Sequence, residues 1–383
     1  MGDLEGLLLV VAAIYLAECV VWVPRGAVVF HRYWIKTWRL LHPSAVIGNE
    51  RGGLFLANPL PPFGTVLVSP QFMLSLSPEA AYSYTAACIN PNWRPVQLAR
   101  HVFWEAIQSV AVDGKAILVN AEPFLRAPSP LAARPLADFL RRVRSLKPGE
   151  RAAAIRKRVD EAFDSQTISA RLAQCQTLAR PVRLLANVLF AYVFVLAPML
   201  VWQFGFGHLG WALLAGLLAQ TITAALLFRR AHRALFPDAS AERFTPFVTM
   251  LLAPPTAIRA HDLLSRHLLE PFHPLAVAQV LCPPHRFEEF ARRTLLDLRF
   301  PMLPICPAAT PEAARTEQWS RQAVLETAEK FIQRAGLRPE ELLKPPARAE
   351  PRNLSYCPRC GGQFLSVELT CGDCGGRPVE RFS

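Results

Sequence analysis

Residues 184–228 read LLANVLFAYVFVLAPMLVWQF-GFGH-LGWALLAGLLAQTITAALLF, two uncharged apolar runs joined by a very short turn. As a helix, the first run (184–204) measures about 31 Å at 1.5 Å per residue, which matches the hydrocarbon core of a bilayer. The second run (209–228) has a closely similar length and character. The residues between them leave room only for a reversal of direction. We therefore predict a tight helical hairpin that crosses a membrane twice.

The charges around this hairpin indicate which side of the membrane each end occupies. Arginine flanks both outer ends, at Arg180 and Arg183 before the first run and at Arg229, Arg230 and Arg233 after the second. Cytoplasmic loops are enriched in Lys and Arg, so both outer ends are predicted to be cytoplasmic and the turn to face outward. Trp202 and Trp211 border the turn, at the level where indole rings prefer the lipid–water interface.

An N-terminal run, residues 7–23, predicts a third and weaker span. It has about the minimum length for a span, ends at Pro24 and contains Glu18. The residues before it are acidic and those from Arg25 onward are basic, which places the N-terminus outside. An ionisable residue within a span is a functional hypothesis by default. For Glu18 we favour a structural or interfacial role over transport, because the chain shows no repeated halves or broken helix pairs.

The overall composition is typical of a protein that is part membrane-embedded and part aqueous. Hydrophobic residues make up 52% of the 383 residues, the mean hydropathy is +0.21 and the formal charge is +12. That charge suits nucleic acid or anionic lipid, but much of it flanks apolar segments, where membrane topology explains it more simply. Five cysteines are scattered without a pairing pattern, at Cys19, Cys88, Cys175, Cys282 and Cys306. Their scatter argues against a secreted disulfide framework.

Residues 25–182 predict a cytoplasmic α+β region. Its first segment, residues 28–41, interleaves aromatic, aliphatic and basic side chains as an interfacial helix does. Residues 45–120 contain short apolar runs broken by Gly and Pro, which predict a small, mostly antiparallel sheet. The clearest hairpin is at 110–119, around the Asp-Gly pair at 113–114.

Two helices are predicted after this sheet, one from residue 131 and one opened by Pro148. The second helix has a basic face, formed by Arg151, Arg156, Lys157 and Arg158. Such a face could bind acidic lipid or nucleic acid. We expect it to be a solvated face instead, because that is the commoner reason for a basic helix surface.

Residues 231–343 predict a cytoplasmic helical region. Within it, residues 247–253 are apolar but too short to span a membrane, because Pro254-Pro255 follow. Further helices are expected over residues 255–269, 286–298 and 311–335, the last of them with Thr310 as its N-cap.

Four histidines cluster in this region: His261, His267, His273 and His285. A spacing of six residues puts successive histidines about 240° apart on a helix, so they do not share a face. Prolines at 271 and 274 interrupt the segment as well. The geometry is therefore left open, and the pattern favours neither a metal site nor a catalytic one.

The chain closes with Cys357-Pro-Arg-Cys360 and Cys371-Gly-Asp-Cys374, and each pair continues into Gly-Gly. Two thiolates on one tight turn can bind a single ion only if the backbone folds back beneath them, which Gly permits. The ten residues between the pairs are enough for a short β-hairpin that brings the turns together. The pattern predicts a metal site with these four cysteines as ligands.

This tail resembles the zinc-ribbon family over about residues 354–382, and the resemblance covers nothing else. It implies structural Zn²⁺ held by four thiolates, with the net charge offset by Arg359 and Arg377. So short a segment cannot be stabilised by burial alone, so the metal would supply folding free energy on the order of 10 kcal/mol. A full four-cysteine shell leaves no open coordination position, so we do not expect zinc catalysis.

The sequence therefore predicts a mixed α+β membrane protein with three transmembrane helices, placed in a bacterial inner membrane. Its segments in order are an N-terminal anchor (1–24), the α+β region with its interfacial start (25–182), the transmembrane hairpin (183–230), the helical region (231–343), a proline-rich linker (344–353) and the zinc ribbon (354–383). Reduced thiolates and flanking arginines both place the C-terminus in the cytoplasm. The oligomeric state is left open.

We expect an interaction or scaffold protein, in which the tethered ribbon recruits a cytoplasmic protein partner to the bilayer. The linker and the closed metal site support this, and motifs such as Gly-x-Ser-x-Gly or His-Glu-x-x-His are absent from the sequence. One alternative is a membrane-surface enzyme of unknown reaction, for which His101 and Glu105 are a candidate pair. Another is binding of nucleic acid or anionic lipid through the ribbon and the basic helices, although the ribbon also contains acidic residues.

Overall fold

The computed structural model describes most of the chain from residue 97 onward and short segments before it. The described residues are 6–7, 10–11, 13, 22–23, 27–31, 34–37, 53–54, 65–68, 72–86, 97–127, 129–237, 239, 244–301, 310–367, 369–374 and 376–382. Within the N-terminal run, residues 7, 10, 11 and 13 are helical and Trp22–Val23 is a strand. Most of the predicted first span, including Glu18, lies outside the described residues.

Short antiparallel strands precede the main sheets. Strand β1 (Trp22–Val23) pairs with β4 (Gly53–Leu54), and β2 (Ala27–His31) pairs with both β3 (Trp34–Thr37) and β5 (Thr65–Val68). The interfacial helix predicted for residues 28–41 is therefore wrong, because β2 and β3 form a hairpin there. The Val-Val-Phe of β2 and the Trp-Ile of β3 are β-branched and aromatic, and such residues favour strands.

Two three-stranded antiparallel sheets form the rest of the strand region. The first contains β6 (Phe72–Leu76), β7 (Ala80–Ala86) and β8 (Gln97–Phe103), and the second contains β9 (Val110–Asp113), β10 (Ala116–Val119) and β11 (Glu122–Arg126). The hairpin predicted at 110–119 is confirmed. Because Asp113 pairs with Ala116, the turn residues are Gly114 and Lys115, and Gly114 has the positive φ of +56° that the tight turn requires.

Helix α1 (Pro130–Ser145) covers the sheets and completes one hydrophobic core. Its N-cap is Ser129, whose Oγ accepts a hydrogen bond from the Ala132 amide at 3.1 Å. Helix α2 (Pro148–Ala162) follows and begins at Pro148 as predicted. The centre of this core contains Trp104, Ile117, Phe124, Leu140 and Val143, all almost fully buried.

The predicted helical hairpin is present. Helix α3 (Ser165–Ala191) continues through a π-helical turn (Tyr192–Leu196) into α4 (Ala197–Phe204), and α5 (Gly207–Leu235) runs back along it. The continuous helices Ser165–Phe204 and Gly207–Leu235 are long and apolar enough to cross a membrane, and they are the two that meet this test within the described residues. The reversal is shorter than predicted, since only Gly205 and Phe206 lie between the helices.

The π-helical turn brings Tyr192 against the second helix of the hairpin. Its hydroxyl donates a hydrogen bond to the Leu213 carbonyl at 2.8 Å. A Cβ placed on Gly216 would lie 2.6 Å from that hydroxyl oxygen. Gly216 therefore provides the space in which the tyrosine crosses from one helix to the other.

The two ends of the hairpin have different surroundings. At the end away from the turn, outside the apolar runs, the helices are buried in the helical core through Ile168, Leu172 and Cys175 of α3 and Ala231 of α5. Along the apolar runs many outward side chains are 40–60% exposed, and Trp202, Phe204 and Trp211 near the turn are 69–89% exposed. The former are Leu184, Val188, Val195, Met199, Leu214, Leu218, Ile222 and Leu226. The boundary predicted between the α+β region and the hairpin, at residues 182/183, falls inside one continuous helix, because α3 begins at Ser165.

The helical region surrounds the buried end of this hairpin. Its helices are α6 (Phe244–Leu252), α7 (Pro254–Ile258), α8 (Ala260–Leu269), α9 (Pro274–Leu281), α10 (Pro284–Arg299), α11 (Pro311–Arg334) and α12 (Pro339–Leu342). The single helix predicted for 255–269 is two helices, because the first ends at Ile258 and Arg259 is non-helical. The N-cap of α11 is Thr310 as predicted, and its Oγ1 accepts a hydrogen bond from the Ala313 amide at 3.2 Å.

Helix α11 joins the α+β region to the helical region. Near its start, the Thr316 hydroxyl lies 3.1 Å from His101 Nε2 of β8. Further along, Thr327 donates a hydrogen bond to Asp160 of α2 at 3.0 Å. The α+β region and the helical region therefore pack against each other through this helix.

Candidate metal centre

The C-terminal module is built from two small antiparallel ladders. Strand β12 (Ser355–Tyr356) pairs with β13 (Gln363–Phe364) and with β16 (Glu380–Arg381), whereas β14 (Thr370–Cys371) pairs with β15 (Arg377–Pro378). These ladders bring the turn after β12 next to the turn after β14. The two Cys-x-x-Cys pairs lie on those turns.

Each turn is closed by a backbone hydrogen bond from a glycine, over four residues in the first turn and over five in the second. The Gly361 amide donates to the Cys357 carbonyl at 2.9 Å, and the Gly376 amide donates to the Cys371 carbonyl at the same distance. Gly361 and Gly376 have φ values of +76° and +81°. Only glycine adopts this left-handed conformation without steric cost, which explains why each pair is followed by glycine.

The four sulfur atoms converge on one point. The Sγ atoms of Cys357, Cys360, Cys371 and Cys374 all lie within 4.8 Å of one another, and those of Cys360 and Cys371 are 3.7 Å apart. Tetrahedral coordination with metal–sulfur bonds of about 2.3 Å separates the sulfurs by about 3.8 Å. The predicted ligands are therefore brought together, and they could bind a metal ion such as zinc. Four protein ligands complete a tetrahedral shell, so the site has no position for a substrate.

Arg359 connects this sulfur cluster to helix α10. One of its nitrogens lies 3.9 Å from Cys374 Sγ, and the other terminal nitrogen forms an ion pair with Asp297 at 2.9 Å. Both charged side chains are largely buried, with 9% of Arg359 and 14% of Asp297 exposed. The module is thus held to the helical region by a desolvated ion pair as well as by its linker.

A second arginine of the module contacts the same end of α10. The Arg377 guanidinium lies 5.5 Å from the centroid of the Phe300 ring and donates a hydrogen bond to the Pro301 carbonyl. An arginine over an aromatic face gains a cation–π attraction. The two arginines predicted to offset the thiolate charge therefore also position the module on α10.

The linker lies along the module. The Gln363 side chain accepts hydrogen bonds from the Ala349 amide at 2.9 Å and from Asn353 at 2.8 Å, and it donates one to the Ala347 carbonyl at 2.7 Å. A single side chain thus holds much of the predicted linker against β13.

Three leucines of the module are exposed. Leu354, Leu365 and Leu369 are 48%, 60% and 47% exposed. Leu354 and Leu365 directly flank the paired strands β12 and β13, and the Leu354 amide donates a hydrogen bond to the Phe364 carbonyl at 2.8 Å. The sequence does not predict these exposed side chains, because single leucines in short strands give no periodic signal.

The four clustered histidines do not form a metal site in the described residues. His273 is the N-cap of α9, where its Nδ1 accepts a hydrogen bond from the Leu275 amide at 3.2 Å. Its ring stacks on Phe163 with the centroids 4.3 Å apart. Burial lowers the pKa of this imidazole to about 4. His273 therefore has a structural role in the helical core.

His101 and Glu105 do not act as a pair. His101 contacts Thr316, whereas Glu105 accepts a hydrogen bond from Arg151 at 2.5 Å. Burial lowers the pKa of His101, and the Arg151 hydrogen bond lowers the pKa of Glu105. The two side chains are stabilised by different partners on different helices.

Two arginines of the basic face of α2 form ion pairs. Arg151 pairs with Glu105, and Arg156 pairs with Glu326 of α11 at 2.6 Å. These contacts join α2 to neighbouring elements, so its surface is less basic than the sequence suggests.

Comparison of the chain with protein-family models, curated proteins and solved structures finds no match.

Proposed function

We propose that this chain is a membrane-anchored interaction protein, in which a zinc ribbon docked on the cytoplasmic helical region presents a protein-binding surface. One observation carries the proposal. The module directs Arg359 and Arg377 inward onto α10 and exposes Leu354, Leu365 and Leu369. Apolar side chains exposed on so small a module favour contact with another protein.

The metal in this proposal is structural Zn²⁺. A closed set of four thiolates is typical of structural zinc, and the ion would supply folding free energy on the order of 10 kcal/mol. The chain's own residues position the site: the two glycine turns orient the sulfurs, and Arg359 places positive charge beside Cys374.

The membrane part of the proposal rests on the hairpin. Its outward side chains form an exposed apolar band, and arginines follow where the apolar run of α5 ends. Bilayer lipid would cover this band, whereas water would leave it unfavourably solvated.

The structural findings make nucleic-acid binding a weaker candidate. A nucleic-acid surface needs cationic side chains facing outward. In this module Arg359 and Arg377 face α10, whereas the exposed Arg352 and Arg381 each lie next to an exposed acidic residue, Glu350 and Glu380.

The proposal is tested by cross-linking in intact cells. The full chain is compared with a Leu365→Asp/Leu369→Asp double variant and with Arg315→Asp, a control at an exposed position on α11. We expect one protein to be captured in stoichiometric amounts by the full chain and by the control, and to be lost from the double variant. Metal content measured on all three proteins shows whether the ribbon itself is intact.

If all three chains capture the same proteins, ribbon recruitment is wrong. If the double variant has also lost its metal, the milder variant Leu365→Gln replaces it in the same comparison. Zinc at one ion per chain in the purified protein supports the metal assignment, and iron in its place would overturn it.

A further inference from the structure

Helix α6 (Phe244–Leu252) has the sequence FTPFVTMLL and contains no charged residue. At about 1.5 Å per residue it measures roughly 13 Å, so it cannot cross a bilayer. One side packs into the protein: Met250 is fully buried, and Phe247 and Leu251 lie against the helical core. That side accounts for only part of the helix's apolar surface.

The opposite side of α6 is exposed. Phe244 and Leu252 are 72% and 77% exposed, comparable to Phe204 (71%) and Trp211 (69%) of the proposed membrane hairpin. They are separated by two helical turns, and the partly buried Val248 lies between them on the same face. Large apolar side chains that face outward from one helix mark a surface that something else covers.

The position of α6 identifies what covers it. Helix α6 packs on α5, and the Arg229 guanidinium of α5 lies 5.8 Å from the Phe247 ring centroid. Arg229 is the first charged residue after the apolar run of α5. The middle of α6 is therefore level with the point where α5 would leave the hydrocarbon core. A short apolar helix at that depth has the features of an interfacial helix.

We propose that α6 is a further membrane-contacting element beside the hairpin, embedded in the cytoplasmic leaflet with Phe244, Val248 and Leu252 against lipid. This inference rests on the proposed membrane anchoring. Helix α6 packs on α5 and leads directly into α7, so lipid contact here would hold the helical region, and the ribbon docked on it, close to the membrane surface.

The test introduces the photoreactive amino acid p-benzoylphenylalanine in place of single exposed residues. Phe244 and Leu252 test α6, Leu218 tests the hairpin, and Leu369 is the control on the ribbon. All four side chains are exposed, so the substitutions do not disturb the core. The full chain is illuminated in vesicles of phosphatidylethanolamine and phosphatidylglycerol, and adducts are identified by mass.

We expect lipid adducts at positions 244 and 252 at a yield within about threefold of position 218 and about tenfold above position 369, because an interfacial helix contacts acyl chains. Adducts to a second copy of the chain at 244 and 252, with lipid adducts at 218, would show that a protein interface covers α6. No adduct at 244 and 252, with lipid adducts at 218, would place α6 in water. Both of those outcomes overturn the inference and leave the hairpin in the membrane, whereas absence of lipid adducts at 218 contradicts the proposed anchoring itself.

Discussion

Arg359 has a role that an arginine on an isolated ribbon would not have. Its guanidinium lies between Cys374 Sγ and the Asp297 carboxylate, so one cation serves both the sulfur cluster and the docking contact. A largely buried carboxylate is unfavourable without an opposite charge, and removing one partner costs more than the pair contributes. The stability of the ribbon and its attachment to α10 are thereby coupled through this side chain.

Replacing Arg359 should therefore loosen the ribbon. We expect Arg359→Gln to lower the free energy of unfolding of this segment by about 2–4 kcal/mol, because it removes the cation from a largely buried ion pair. Asp297→Asn should have a smaller effect, and adding it to Arg359→Gln should recover part of the loss. Hydrogen–deuterium exchange over residues 355–382 and 284–299 in detergent measures both sides of the contact.

Arg352→Gln is the matched control, because Arg352 is exposed and its partner Glu350 is a neighbour in the chain. We expect a change within about 0.5 kcal/mol there. Equal effects of Arg352→Gln and Arg359→Gln, or strictly additive effects of the Arg359 and Asp297 variants, would contradict the coupling.

A second prediction at this scale concerns pH. Burial lowers the pKa of His273 to about 4 in the folded chain, against about 6.5 when it is unfolded. Between pH 4 and 6.5 the unfolded chain binds a proton at His273 that the folded chain does not bind. The stability that depends on a neutral His273 is therefore fully present above pH 6.5 and is lost as the pH falls towards 4. At about 1.4 kcal/mol per pKa unit, the loss is on the order of 3 kcal/mol.

His273→Asn removes this titration and keeps an acceptor for the Leu275 amide at the N-cap of α9. We expect a lower stability at pH 7, because the stacking on Phe163 is lost, but a flatter dependence of thermal unfolding between pH 6.5 and 4. His285→Gln, at the exposed start of α10, is the control. An unchanged slope for His273→Asn would assign the pH dependence to other groups.

At the scale of elements, the hairpin depends on one glycine. Gly216→Ala would place a methyl group where the Tyr192 hydroxyl now lies, so the tyrosine must move and its hydrogen bond to the Leu213 carbonyl is lost. We expect a cost of about 1–3 kcal/mol in the stability of the hairpin, as is usual for overpacking. Thermal unfolding in detergent measures it.

Two companion variants separate the causes. Tyr192→Phe removes the hydrogen bond without adding volume and should cost about 1 kcal/mol. In the double variant Tyr192→Phe/Gly216→Ala the methyl group meets no hydroxyl, so its added cost should shrink. If Gly216→Ala is as stable as the original chain, the close approach of the two helices is not important.

The sequence was most informative where one local rule decides the structure. The apolar runs of the hairpin, the Gly114 turn, the Thr310 N-cap and the four cysteines were all predictable, because each depends on residues close together in the chain. The strands at 27–37 were mistaken for a helix, because aromatic and basic residues interleave in both kinds of element.

Contacts between distant segments could not be predicted in this way. Nothing near Arg359 indicates that its partner is Asp297 on α10, and nothing near His101 points to Thr316 on α11. The exposed face of α6 was equally hidden, since an apolar run of nine residues predicts only burial until its neighbours are known. Long-range packing decides which apolar and charged groups face outward.

At the scale of the whole molecule, the proposed topology and the proposed metal site both require the ribbon to lie on the cytoplasmic side of the membrane. The proposed thiolate ligands must stay reduced, which predicts that the ribbon lies on the cytoplasmic side. The arginines at the outer ends of the hairpin predict, by a separate rule, that those ends are cytoplasmic. The contacts of Arg359 and Arg377 with α10 would then put the ribbon on the same side. A sidedness experiment therefore tests both arguments together.

We predict that the turn of the hairpin faces outward and the ribbon faces the cytoplasm. A short epitope inserted between Gly205 and Phe206, which are the only residues outside the two helices at the turn, should react with antibody in intact spheroplasts. The same epitope inserted at Glu350, in the exposed linker, should react only after the membrane is permeabilised. Each inserted chain is checked for zinc content, so that a misfolded ribbon is recognised. Reversed accessibility would place four thiolates in an oxidising compartment, and the zinc assignment and the cytoplasmic partner would then be wrong together with the topology.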